Sequence, residues 1–301
     1  MTTDDLVVVT GAPGNVGTAV VRHLLRRGAR VRVVGRHLER IRATFGDAVE
    51  AGRLNFGDRR SYVEAFRGAR RLFIVRPPQV SNVTRDMVPA LDVALGAGVT
   101  RMALLSLQGA DRNPLAPHRK LEQYLQGAGV EFTLLRPGFF MQNLITTHLP
   151  ELQARREVYV PAGQGRTAFV DAADVGEVGA LVLSEDGHAG RAYELTGSQA
   201  LTYGEVAAIF SQVSGLNIRY ADPTPLAFYR QMRARGLAAG YILVMEALYA
   251  AARLGQAAHL SPELGRLLGR DPTTLLQVAQ AHRGLIAGQP SGPQESKHAE
   301  D

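Results

Sequence analysis

The chain has 301 residues, no cysteine, and 34 lysines and arginines against 28 aspartates and glutamates, a formal charge of +6. The missing cysteine excludes disulfides, thiolate catalysis and cysteine-ligated metal. Lys120 and Lys297 are the only lysines, and the arginines are scattered over helical stretches without interleaved aromatics, so the excess base does not point to nucleic acid. The most apolar late stretch, 237–252, is interrupted by Glu246 and falls short of the roughly 20 residues that a membrane-spanning helix needs. The first five residues carry acid where a secretory signal carries base, so a soluble, cytoplasmic protein is expected.

Taken in chain order, short β-branched runs alternate with helical patterns. The first run, 6–10, stops at Gly11, Gly14 and Gly17, and apolar residues at helical spacing follow over 15–27. Strands are further expected at 30–34, more weakly at 49–54, then at 71–75, 101–106 and 132–135. Helices fit 37–45, 60–67, 83–97 and 116–127. Such alternation specifies an α/β fold with a doubly wound parallel sheet. The expected organisation is a nucleotide-binding domain over 1–150 with a contribution from 163–196, a smaller, mainly helical substrate-binding part over 197–287, and a disordered tail over 288–301.

The glycines sit where a buried strand hands over to a helix. Glycine lets the backbone approach a diphosphate, and the free amides and positive end of the helix dipole face the anion. Thr10, Gly11, Pro13, Gly14, Asn15, Val16 and Gly17 therefore form a candidate dinucleotide cradle. At the end of the second strand an NAD site places an acid for the ribose 2′-hydroxyl. Here the residues are Gly35, Arg36 and His37, and the first acid is Glu39. Arg36 offers a guanidinium fork suited to a 2′-phosphate, so NADPH is expected in preference to NADH.

The spacing TGxxGxxG resembles the short-chain dehydrogenase/reductase superfamily. Residues 104–110 (LLSLQGA), 118–122 (HRKLE), 132–143 (FTLLRPGFFMQN) and 167–175 (TAFVDAADV) follow in order. Together with the glycine loop they look like the NmrA-like group, over about residues 5 to 215. That group includes type 2 quinone oxidoreductases, azoreductase-like proteins, isoflavone-reductase relatives and nitrogen-regulator sensors. The resemblance implies a Rossmann fold in which Arg76, Pro77 and Pro78 flank the cofactor's ribose. It places Ser106, Pro137, Gly138 and Phe139 beside the nicotinamide, and Asn55 and Phe56 near the adenine, with Phe56 equally readable as core.

The superfamily's usual catalysis uses a Tyr-x-x-x-Lys pair on one helix, which this chain lacks: Ala116 stands four residues before Lys120 and Pro293 four before Lys297. His118 and Glu122 occupy the corresponding helix at i,i+4 spacing, with Lys120 roughly opposite. One reading makes His118 the proton donor, oriented by Glu122. Another leaves the pair as a surface stabiliser and lets an electrophilic acceptor, such as a quinone, react through positioning alone. Asp171 and Asp174 read as helix-capping carboxylates. Phe139, Phe140, Met141 and Asn143 read as pocket wall or core. Phe228, Tyr229, Met232, Leu237, Tyr241 and Met245 suggest an apolar wall for a small hydrophobic or aromatic substrate, or else a homodimer face or ordinary core. The expected function is reduction of a quinone, azo or related conjugated electrophile by an NADPH-dependent oxidoreductase. The rival is a non-catalytic NADP(H) sensor.

Overall fold

The structure, a computed structural model, describes residues 5–114 and 116–288. In chain order the elements are β1 (Leu6–Thr10), α1 (Asn15–Arg26), β2 (Arg30–Gly35), α2 (Leu38–Phe45), β3 (Glu50–Arg53), α3 (Tyr62–Phe66) and β4 (Ala69–Val75). They continue with α4 (Val83–Asp86), α5 (Val88–Gly96), β5 (Arg101–Leu105), α6 (Pro117–Gly127), β6 (Glu131–Pro137), β7 (Phe139–Phe140), α7 (Gln142–Ile145), α8 (Leu149–Arg155) and β8 (Glu157–Tyr159). Then come β9 (Arg166–Val170), α9 (Ala172–Ser184), β10 (Arg191–Leu195), β11 (Ala200–Thr202), α10 (Tyr203–Ser214) and β12 (Arg219–Ala221). Helices α11 (Pro225–Ala234), α12 (Ala239–Arg253), α13 (Glu263–Leu268), α14 (Leu275–Ala281) and α15 (Arg283–Ile286) end the chain. Apart from Gly288, the expected tail lies outside the described residues.

Two compact units result. The first, residues 1–137, 172–195 and 266–269, holds a seven-stranded sheet in the order β10-β6-β5-β4-β1-β2-β3. Every pairing is parallel. Strand β1 is buried along its whole length, as a central parallel strand covered on both faces requires. The expected helix over 83–97 is two, α4 and α5, because Pro89 has no amide to extend the earlier turns. Strand β3 reads weakly because it is a polar edge strand, with no fully buried residue.

The second unit comprises 138–171, 196–265 and 270–301, so the division falls at Pro137 rather than at 150. The reason is local: β7 pairs with β9, not with the seven-stranded sheet, and β11 pairs antiparallel on the other side of β9. Phe169, Tyr203, Phe210, Phe228 and Tyr249 fill this unit's core. Inside it His148 Nε2 and the Tyr249 hydroxyl share a hydrogen bond at 2.5 Å.

In the first unit α1 and α9 pack through Gly176. A Cβ there would press on Ala19 and lie 2.9 Å from the Val20 amide nitrogen and 3.0 Å from the Val16 carbonyl oxygen. Backbone cannot yield as a flexible side chain can, so Gly176→Ala is expected to cost about 1–3 kcal/mol through overpacking. A lower melting temperature with weaker dinucleotide binding, read by calorimetry, is the expected result, because α1 carries the glycine cradle.

Candidate active site

Built from the residues upward, the cradle is a backbone device. Gly11 has φ +74°, a conformation that side chains disfavour, and a Cβ on it would lie 2.5 Å from that of Val75. Cβ atoms on Gly14 and Gly17 would lie 2.7 and 2.6 Å from one and the same atom, the Gly11 carbonyl oxygen. Only three bare α-carbons let α1 descend this close to the end of β1. Gly14 is the N-cap of α1 and supplies no side chain to its amides, and the first turn carries no acid. An uncapped helix start with no competing carboxylate favours an incoming anion. The chemistry of this helix start, free amides with no capping side chain and no acid in the first turn, is suited to a diphosphate.

Beside the cradle lies a cavity of about 420 Å³. The strand ends wall it: Thr10, Gly11 and Ala12 after β1, 34–36 at β2, 54–57 after β3, and Val75, Pro77, Gln79 and Val80 after β4. Arg85 and Asp86 of α4 close it. The structure thus brings Thr10, Gly11, Arg36, Asn55, Phe56 and Pro77 to one place, as strand order β4-β1-β2-β3 dictates. Arg85 and Asp86 neutralise each other in a bidentate pair at 2.6 and 2.9 Å. Arg36 is exposed and has no hydrogen bond or ion pair to a described residue, so its fork remains available. Gln79, Val80, Arg85 and Asp86 had no signal in the sequence beyond the Pro77-Pro78 turn that folds the chain back.

The hydroxyl of Thr10 is already committed. It donates to the Phe73 carbonyl at 3.1 Å and accepts from the Val75 amide at 2.8 Å, which ties β1 to β4. Phe56 lies partly buried against the unit's core as well as in the cavity wall, and its carbonyl accepts from the Tyr62 hydroxyl.

Helix α6 departs from expectation. Glu122 is fully buried and does not orient His118. It accepts from the Ser106 hydroxyl at 2.6 Å and from Arg136 Nε and Nη2 at 3.0 and 2.8 Å. Arg136 also reaches Asp111 at 3.2 Å. A buried carboxylate needs a cation and a full set of donors, and Arg136 with Ser106 supplies both. The i,i+4 spacing had placed the two side chains on one face without revealing this competitor. Arg136 is the functional-region residue that sequence reasoning passed over as a mere strand end.

His118 instead accepts at Nε2 from Arg76 Nε at 3.3 Å, which places the ring proton on Nδ1. That nitrogen is buried without a hydrogen-bond partner among the described residues. Burial, then the nearby Arg76 charge, pushes the ring's pKa down to about 4. At neutral pH it is an uncharged imidazole and holds no imidazolium proton to give. Arg76 donates its Nη1 hydrogens among the carbonyls of Pro77, Pro78 and Val80, at 3.1, 3.3 and 2.7 Å. Lys120 is exposed.

Pro137 closes β6, and its carbonyl accepts from the Gln108 amide at 3.0 Å. Gly138 and Phe139 belong to the second unit: a Cβ on Gly138 would strike the Ala168 carbonyl, and Phe139 packs edge-on to Phe169 at 6.2 Å. There Asp171 accepts from Gln142 at 2.5 Å. The proposed wall of Phe228, Met232 and Met245 is not a surface, because the phase of α11 and α12 turns all three into the unit's core. Tyr229 and Leu237 pack against that core, and of these six residues only Tyr241 is exposed. Among the described residues no helix is long and apolar enough to cross a membrane, and no cluster of side chains is suited to a metal.

The chain is similar to an NAD(P)H azoreductase from Xenophilus azovorans, at 28% identity over 281 residues, 92% of this chain and 98% of that one. It is also similar to the solved structure of an NADPH-dependent quinone oxidoreductase from Escherichia coli in complex with NADPH. That match has 27% identity and a TM-score of 0.82 over 91% of this chain and 99% of the other. The triphenylmethane reductase of Citrobacter sp., at 23% identity and a TM-score of 0.80 over 91% of this chain and 99% of that one, shares the fold. The model of the NmrA-like family matches residues 3–265, and the chain belongs to that family.

Proposed function

We propose that this chain is an NADPH-dependent oxidoreductase that reduces a quinone, azo or related conjugated electrophile. The observation that carries the reading is the bare glycine cradle, with uncapped first-turn amides, opening beside a cavity walled by an unpaired Arg36. The cradle would hold the diphosphate of NADPH, Arg36 its 2′-phosphate, and Asn55 and Phe56 its adenine end. Bound there, the reduced nicotinamide supplies a hydride.

The residues of α6 support a conjugated acceptor over a simple ketone. No tyrosine stands four residues before Lys120, Glu122 is consumed by Ser106 and Arg136, and His118 is uncharged. An alkoxide leaving such a site would find no acid beside it, whereas a delocalised phenolate needs none. His118 acts by position, as the acceptor that fixes Arg76.

Purified protein with NADPH and a panel of quinones and azo dyes, followed by nicotinamide absorbance, tests the reading. Turnover is expected. No turnover with any acceptor, together with equal binding of NADP⁺ and NADPH, would transfer the chain to the sensor class. Arg36→Asp is expected to weaken NADPH binding about 10- to 100-fold, the worth of charge-assisted bonds to a 2′-phosphate, with NADH binding little changed. Equal losses for both cofactors would remove Arg36 from the phosphate.

Acid sensitivity follows from His118. Its folded-state pKa of about 4 lies below the ordinary 6.5, so below pH 6.5 the unfolded chain binds a proton that the folded chain refuses. Stability therefore falls as pH drops from about 6.5 towards 4 and is fully present above that window. His118→Asn is expected to narrow the difference in melting temperature between pH 7 and pH 5. Buried His148, pushed down to about 3, keeps part of the difference in place.

A further inference from the structure

Among the described residues no carboxylate pairs with the charge of Arg76. The other well-buried arginines of the first unit each hold a carboxylate: Arg32 with Glu50 at 2.6 Å, Arg71 with Asp5 at 3.1 Å, Arg101 with Glu131 at 2.7 Å and Arg136 with Glu122 at 2.8 Å. Arg76 is half-buried and has no ion pair among the described residues. Its Nε goes to a neutral imidazole and its Nη1 to three backbone carbonyls, which are dipoles and leave the charge uncompensated. Taking a guanidinium partly out of water without a counter-ion is costly, and an anion bound beside it would offset that cost. Nη2 enters none of these bonds, although the rest of the guanidinium is immobilised. Burial pulls the group's pKa down from its usual value, yet an arginine this basic stays charged.

The candidate anions are the cofactor's diphosphate and the oxyanion of a reduced acceptor. The diphosphate has its own seat at α1, beyond β1. Arg76 stands at the end of β4, between β1 and β5, and its Nε is turned to His118 on α6, the helix that follows β5. That is the side away from α1. Resting on the oxidoreductase reading above, we propose that Arg76 binds the oxyanion which reduction creates on the acceptor, with Nη2 as the donor. Hydride addition to a quinone-type acceptor, with reduced nicotinamide as the donor, places two electrons and one hydrogen on the acceptor and leaves a negative charge on its oxygen. The second hydrogen arrives later as a proton from water. A fixed cation at that oxygen stabilises charge as it develops, and its orientation is settled beforehand by His118 and the 77–80 turn.

The probe is 4-nitrophenol, whose phenolate absorbs where the phenol does not, titrated against the protein saturated with NADP⁺. The bound probe's apparent pKa is expected to lie at least one unit below its value in water, and R76Q is expected to bind the phenolate at least tenfold more weakly and to abolish that shift. NADP⁺ affinity, measured separately by calorimetry, is expected to fall less than phenolate affinity does. R76K keeps a charge but loses the fork, so it is expected to retain part of the shift, and it serves if R76Q does not fold. Failure of wild-type protein to bind phenolate, or equal phenolate binding in R76Q, would overturn the proposal. A tenfold loss of NADP⁺ affinity with the probe unaffected would assign Arg76 to the diphosphate instead. The probe is read without turnover: a lowered phenolate pKa beside a silent quinone panel would sink the oxidoreductase reading and leave the anion site standing.

Discussion

The Gly11 carbonyl oxygen is the contact on which the cradle and its surroundings depend. Gly14 and Gly17 both close on it, and Gly11 itself lies under Val75 of the neighbouring strand. Thr10, one residue earlier, bonds to both the carbonyl of Phe73 and the amide of Val75. One short stretch of backbone therefore fixes β1, β4 and the start of α1 relative to one another. From the other side, α9 presses on α1 through Gly176. The helix end that faces the cavity is held by close backbone packing at two places, and neither tolerates a methyl group.

From that frame the charges can be accounted for. The sheet's ends carry several arginines into partly buried positions, and the fold answers nearly all of them with acids from distant parts of the chain. Glu122 answers Arg136 and takes Ser106 with it. This exchange explains what became of α6 and the end of β5, where the superfamily resemblance places catalytic side chains. Ser106, Glu122 and Arg136 there form one hydrogen-bonded network, with His118 outside it. Arg76 is the exception, held in place and unanswered.

Much of this was legible in the sequence, for identifiable reasons. The strands at 6–10, 71–75 and 101–106 are β-branched and leucine-rich runs buried on both faces, so composition alone marks them. The cradle was legible because its mechanism belongs to the backbone, and glycine is visible as an absence of side chain. Arg36 was legible because strand order alone brings its position to the cavity. The fate of Glu122 was hidden, since helical spacing reports which residues share a face and not which partner arrives. Ser106 and Arg136 lie 16 and 14 residues away and reach it only through the sheet. Phe228 and Met232 misled for a related reason: an apolar, aromatic helix reads the same whether its stripe meets a ligand or a core.

On the proposed reading, the trade made at α6 restricts the substrate. A tyrosine and lysine supply a proton, so an acceptor may end as a basic alkoxide that captures it at once. A neutral histidine with a guanidinium supplies no proton and instead holds a negative charge. The product must then survive as an anion until water protonates it, which favours oxygens whose charge spreads over a conjugated system. A fixed cation contributes to such an anion before any proton moves and asks no reorganisation of the surrounding dipoles. On that reading, the departure from Tyr-x-x-x-Lys narrows the chemistry to acceptors whose reduced form is a stable anion.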